Sequence, residues 1–306
     1  MNENTFYELG TSASPPQAGQ QAAGDGSRRA AVQFAWFRDE GDALVPLPLA
    51  QSLWRSDQMH GVAVSGLLAR ALEKAVDDAG RSELVPARYH VDLFRPARMI
   101  PTTARATVVR EGPRLLLVDA VVEQEGEVVA RASGTFLRPS SSPDGAVWTS
   151  PEERPSPPPL ELAPLDVEHH VPIFASDAPW SDNFGDHQNG GRHQTWHIAV
   201  PIVEGEECTP FQAVASVADA TSMVTNWGAG GVEYINTDID LALSRRPTGI
   251  SIGLRATDHV AHAGIAAGTA EVFDREGSLG TATVTSLANT RRTVDLSGGV
   301  SLEGSA

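Results

Sequence analysis

The segment "FQAVASVADATSMVTNW", from Phe211 to Trp227, consists of small apolar and neutral polar residues around a single carboxylate, Asp219. Apolar surroundings solvate a carboxylate poorly and raise its basicity, which suits general-base work near neutral pH. Gln212, Ser216, Asp219, Ser222 and Asn226 recur at helical spacing. That stripe reads either as a solvent-facing side or as the wall of a groove that admits a ligand. Its neutral character contrasts with the charged set Arg70, Glu73, Lys74 and Asp77, which reads as an ordinary solvated helix face. The remaining chemically capable residues form weaker sets. His193, Thr195 and His197 alternate as on one face of a strand, but no Asp, Glu or Cys stands at ligand spacing, so no metal site is expected. His259 and His262, in "TDHVAHAG", read as part of a turn between strands. No serine sits in a G-x-S-x-G context, and no glycine-rich loop joins a strand to a helix. Arg95, Arg98, Arg245 and Arg246 suit either phosphate recognition or strand-end ion pairs, and the letters do not choose between them.

These residues need elements to position them, and the elements come twice. "FRPARMI" at Arg95 returns as "RRPTGIS" at Arg246, and "QEGEVVARA" at Gly126 returns as "REGSLGTAT" at Gly277. Arg95, Pro96, Glu125 and Gly126 each match a residue at one fixed offset (246 − 95 = 151), which points to duplication. "RLLLVDAVVEQEGEVVARASGTFLR" reads as strand, Glu-Gly turn, strand, and "GIAAGTAEVFDREGSLGTATVTSL" reads the same way. A helix precedes each strand series. The first is "GVAVSGLLARALEKAVDDAG", stopped by Gly80; the second is the opening segment, with Thr209 as N-cap and Pro210 at the first helical position. One helix followed by an antiparallel sheet, repeated, is an α+β architecture. The expected division is residues 1–140, a Pro-rich linker over 141–165, and 166–306, with a flexible insertion at about 9–29. The linker, containing "ERPSPPPLELAP", reads as a semi-rigid spacer and not as a packed element.

The 306 residues carry a net charge of −16, which argues against nucleic acid as a partner, because nothing here would displace counterions from a phosphate backbone. Cys208 is the single cysteine, so no internal disulfide forms and a reducing cytoplasm is the expected setting. "MNENTFYELG" lacks the basic and apolar regions of a signal peptide, and no apolar run approaches the length of a membrane span. A soluble protein without a membrane partner is expected.

"MHGVAVSGLLARALEKA", "VDLFRPARMIPTTARATVVREG" and "INTDIDLALSRRPTG" together resemble the double-hotdog acyl-CoA thioesterases, a superfamily related to bacterial acyl-CoA thioesterase II. The resemblance runs from about Val32 to Arg291. It implies two tandem hotdog units, each an antiparallel sheet wrapped around a long central helix, and hydrolysis of an acyl-CoA or acyl-carrier thioester. Its alternative is a scaffold turned to acyl-ligand binding or to another biosynthetic step. Related enzymes carry an aspartate in the second helix, matched by Asp219; it activates water or attacks the thioester carbonyl. Thr237 in "YINTDID" matches a family threonine that helps hold the water, with Asp238 facing the other way. The third family member, a glutamine on a late strand, is replaced, and its position in "GTATVTSLANT" reads as Thr285, with Ser286 next. The start of helix one, "MHGV", is the candidate oxyanion site, with backbone donors, His60 as a further donor, and Gly61 allowing close approach. The acyl chain is expected beside helix two, near Ala215, Ser216, Ala218 and Met223. The resemblance implies no metal and no cofactor beyond coenzyme A as part of the substrate. It also implies pairing of two chains through their sheets.

Overall fold

The computed structural model describes residues 34–165, 171–289 and 293–298. The insertion expected at 9–29 lies outside them. Helix α1 (Gly61–Asp78) buries Ala63, Val64, Leu67, Leu68, Leu72 and Val76 along one face. It ends where Gly80 takes a left-handed φ of +68°, and Arg81 N–H returns to Val76 O to satisfy a terminal carbonyl. Four strands accompany it: β1 (Val85–Asp92), β2 (Thr103–Gly112), β3 (Leu115–Gln124) and β4 (Glu127–Leu137). In β3 the pattern is plain, with Leu116, Val118, Ala120 and Val122 buried and their neighbours turned outward.

The second half has β5 (Ile173–Ala175), β6 (Gln194–Ile198), helix α2 (Pro210–Val217), helix α3 (Thr221–Asn226), β7 (Tyr234–Asn236), β8 (Asp238–Leu243), β9 (Ser251–His262), β10 (Ile265–Asp274) and β11 (Gly277–Ala288). All the strands named here form one sheet in the order β2-β3-β4-β1-β8-β11-β10-β9-β6-β5, with β7 also paired to β11. The halves join where β1 runs antiparallel to β8, placing Tyr89 opposite Leu241 and Val91 opposite Ile239. The helices of both halves lie against the buried face, and their apolar residues belong to one shared core. This is the duplicated helix-and-sheet arrangement anticipated from the repeat. Among the described residues no helix is long and apolar enough to cross a membrane.

Three details differ from the sequence reading. Helix two is not one rod: Ala218–Ala220 form a 3-10 turn between α2 and α3, and Asp219 sits at its middle. Thr209 does cap α2, accepting from Gln212 N–H, with Pro210 at the first position. The repeated Glu-Gly letters are also one residue out of step. Glu125 and Gly126 form a two-residue turn with φ of 52° and 81°, whereas β10 and β11 turn through Arg275 and Glu276 and leave Gly277 (φ +108°) as the first strand residue. Lastly, the Pro-rich segment is strapped to the second half over its later part. Arg275 donates to Pro158 O and Ala163 O and lies 5.0 Å above the Trp196 ring. Arg255 donates to Glu153 O, and Arg154 pairs with Glu271 at 2.9 Å. Prolines offer carbonyls without competing N–H groups, and these guanidinium groups satisfy several of the segment's carbonyls.

Candidate functional site

Asp219 is 7% exposed, so the solvent-face reading of its stripe does not hold. Gln212, Ser216, Ser222 and Asn226 are buried too. Gln212 donates to Glu73, which therefore faces α2 and not water, and Ser216 packs on Gly66 where α1 and α2 meet. Ala215 and Ala218 lie wholly in the core. The acyl path expected past Ala215, Ser216 and Ala218 is thus filled with side chains. Met223 is half-buried against a separate apolar cluster that includes Trp54 and Trp227.

The Asp219 carboxylate is held from two directions. Asn236 Nδ2 donates to Oδ1 at 2.9 Å, and the first turn of α1, with Val62 N–H, faces the same carboxylate. Gly61 makes that approach feasible, since a Cβ there would stand 2.4 Å from Oδ1 and 2.6 Å from Oδ2. His60 caps α1: its Nδ1 accepts from Val62 N–H at 3.2 Å and lies 3.7 Å from Asp219 Oδ2. Because Nδ1 is the acceptor, the neutral ring carries its proton on Nε2 as a donor. The side chain keeps 37% exposure. Gly61 N–H has no acceptor among the described residues.

Burial pushes the Asp219 carboxyl above the usual range, opposed by His60, Asn236 and Val62 N–H. Burial lowers His60, opposed by Asp219. His197, whose Nε2 is 3.0 Å from Thr195 Oγ1, is pushed down to about 3 by burial and by the neighbouring His60. His193 is stacked on Trp227 and bonded to His187 O. Among the described residues no three His, Cys, Asp or Glu side chains gather in a way that would hold a metal ion.

Thr237 and Thr285 do not meet Asp219. Between the pairs Asn236–Ser286 and Asp240–Thr283, one strand advances four residues and its partner three, so a β-bulge lies at Thr237–Asp238. Thr237 and Asp238 mend it. Thr237 Oγ1 donates to Thr285 O at 3.1 Å, and Asp238 Oδ1 accepts from Thr285 N–H at 2.7 Å. The bulge shifts the inward face by one residue, from Thr237 to Asn236. On β11 the inward series is Ala282, Val284, Ser286, so Thr285 is exposed and Ser286 is 0% exposed. Ser286 is the direct cross-strand neighbour of Asn236, and its Oγ accepts from Asn226 Nδ2 at 3.2 Å. The assembled site is therefore Asp219, Asn236, His60 and the first turn of α1, backed by Ser286 and Asn226. Alternation along β11 was a readable signal for Ser286; nothing local announced Asn236.

The four arginines of the repeated motifs are engaged: Arg95 with Glu127, Arg98 with Glu125, Arg245 with Asp274, and Arg246 on Leu84 O.

Residues 50–137 match the family model for the acyl-CoA thioesterase N-terminal domain, and residues 144–287 match the model for its C-terminal domain. No curated protein matches. Solved structures share the fold at low identity. The tesB protein of Mycobacterium avium subspecies paratuberculosis is 16% identical, with a TM-score of 0.57 over 82% of this chain and 95% of that one. An acyl-CoA thioesterase II from Mycobacterium marinum is 16% identical, with a TM-score of 0.53 over 76% and 89%. A hot dog fold protein of unknown function from Alicyclobacillus acidocaldarius is 16% identical, with a TM-score of 0.58 over 84% and 96%.

Proposed function

Because the chain belongs to the acyl-CoA thioesterase family, we propose that it hydrolyses the thioester of an acyl-CoA or acyl-carrier substrate to a free acid and a thiol. One observation carries this reading: a buried carboxylate wedged against the first turn of an 18-residue helix, with a side-chain amide fixing its orientation. Asp219 takes the proton of a water as that water attacks the thioester carbon, and Asn236 holds Oδ1 so that Oδ2 faces the water. The negative charge growing on the carbonyl oxygen is met by Gly61 N–H and by His60 Nε2–H, preorganised donors that need no rearrangement. The thiolate leaves, and the proton held by Asp219 goes to it.

The test is release of thiol from a panel of acyl-CoAs, compared with Asp219→Asn. No turnover above that variant on any substrate removes the proposal. A second reading is favoured by one feature: the late strand presents Ser286, engaged by Asn226, and among the described residues no glutamine hydrogen-bonds the carboxylate. In that reading the protein binds acyl groups without cleaving them, and non-hydrolysable thioether analogues bind while thiol release stays at background.

A further inference from the structure

A cavity of about 560 Å³ opens between α3 and β9. Asn226 lines it and, through Ser286 and its cross-strand partner Asn236, stands next to the site of Asp219. Tyr234 lines it as well and shares the inward face of β7 with Asn236, about 7 Å further along the strand. Tyr234 and Asn226 thus tie the cavity wall to the strand face that carries Asn236. Its wall is unlike the lining of an alkyl tunnel. A bulge between Ala256 and Asp258 turns His259 to the helix side, opposite Gly268, and Glu233 also lines the cavity. Asn226 turns its amide nitrogen to Ser222 and Ser286, so Oδ1 faces His259 Nε2 at 3.2 Å. His259 therefore donates from Nε2 and keeps Nδ1 as a lone-pair acceptor. Two acceptors stand on this wall, the Glu233 carboxylate and His259 Nδ1. An unsubstituted hydrocarbon would strip water from them with nothing in return. The coenzyme's phosphates would meet Glu233, and Arg192 is already opposite Glu152 at 3.5 Å.

We propose that this cavity receives the acyl group of the substrate and selects an acyl group that carries a hydrogen-bond donor, a hydroxyl or an amine, several atoms beyond the thioester carbonyl. The inference rests on the thioester reading of the Asp219 site. It is tested with the full chain and non-hydrolysable thioether analogues of coenzyme A: ethyl, hexyl and 6-hydroxyhexyl, titrated by calorimetry. The hydroxylated analogue is expected to bind about tenfold or more tightly than hexyl, the scale of one hydrogen bond to an ionised acceptor. A Cβ at Gly228, on the cavity wall, meets nothing within 4 Å, so Gly228→Leu occupies the space without a clash. It should weaken the hydroxyhexyl analogue far more than the ethyl one, and His259→Phe should narrow the hydroxyl preference. Equal affinity for the two six-carbon analogues, no binding of any analogue, or a Gly228→Leu loss as large for ethyl as for hydroxyhexyl overturns the proposal. The last result would place the coenzyme arm in the cavity. Thiol release from the matching thioesters is read separately. A binding preference without turnover removes the hydrolytic reading and keeps the cavity assignment, whereas turnover without preference does the reverse.

Discussion

Gly61→Ala offers a narrow test of the site, because it adds one methyl group at a known place. The added Cβ stands 2.4 Å from Asp219 Oδ1, and ordinary contact begins at 3.4 Å, so either the carboxylate or the helix start must retreat by about 1 Å (3.4 − 2.4 = 1.0). The backbone itself does not object, since Gly61 is the first residue of α1 and has no left-handed φ. Displacing a catalytic group by about 1 Å costs on the order of 10²-fold in rate. The fold should suffer less. Overpacking costs about 1–3 kcal/mol, and alanine returns up to about 1 kcal/mol of helix propensity over glycine.

The comparison variant is Gly66→Ala, one and a half turns along the same helix. Its Cβ would stand 2.3 Å from Ser216 Oγ and 2.4 Å from Ile202 Cδ1, an overlap of the same size that leaves Asp219 alone. Thermal unfolding followed by circular dichroism should place both variants slightly below wild type. Thiol release from acyl-CoA should separate them: kcat/KM falls about 10²-fold in Gly61→Ala and stays near wild type in Gly66→Ala. Equal activity in Gly61→Ala and wild type, or equal losses in both variants, would refute the idea that closeness of α1 to this carboxylate sets the chemistry.

Further predictions follow from the same geometry. Asp219→Asn should abolish turnover and raise the melting temperature, because active-site groups are held at a cost in stability of about 0.5–2 kcal/mol. The sign with pH is fixed. A carboxyl raised above its ordinary value of 3.8 contributes stability below that value and loses it as pH climbs through the folded pKa, so the variant's advantage should grow from acid to neutral pH. For the same reason the acid limb of wild-type hydrolysis should lie above the usual carboxylate range. Arg245→Met should cost about 3 kcal/mol in denaturant unfolding, since Asp274 is 1% exposed and its charge would lose both guanidinium bonds. Asp274 is held below its ordinary pKa, chiefly by Arg245, against its own burial; its contribution is present above the unfolded value and lost as pH falls, so the variant's deficit should shrink in acid. Arg275→Ala should speed proteolytic cleavage between residues 153 and 165, because it releases the carbonyls of Pro158 and Ala163. Unchanged cleavage kinetics would show that the strap is held by other contacts.

The fold was legible because its signals are periodic and local. Alternation in "LLLVDAVV", the helical spacing of Leu68, Leu72 and Val76, and the Gly80 stop each report a structure that the nearest neighbours in sequence enforce, although Val62, read with that inward set, is only half-buried and Val64 takes its place. The repeat supplied the pairing of halves, although its letters drift by one residue at the second turn. The linker was misread because the partners of Pro158 and Ala163 come from Arg275, more than a hundred residues on, and composition carries no trace of that.

The site was legible only where burial alone decides. Asp219 stood out as a lone charge in an apolar helix, but its polar stripe read equally well as a solvent face, and only the packing of α1 against it decides for burial. Its partners depend on strand register, where a slip of one residue exchanges the two faces of a sheet. Counting back from the buried Ile239, Leu241 and Leu243 puts Thr237 inward, and an unbroken strand would have kept it there. The bulge inserts one residue between that series and the site, so inward orientation passes to Asn236, and Ser286 lies opposite on the partner strand. The irregularity is affordable only because Asp238 accepts the Thr285 N–H that the broken ladder leaves over. Asp238→Ala removes that acceptor, and the exposed strand face loses little else. If the bulge exists to aim Asn236, turnover should fall in Asp238→Ala, and Asp238→Asn, which keeps an acceptor oxygen, should restore most of it. Activity insensitive to both changes would mean that Asn236 is held in place by Asp219 alone, and that the bulge is an accident of the duplication.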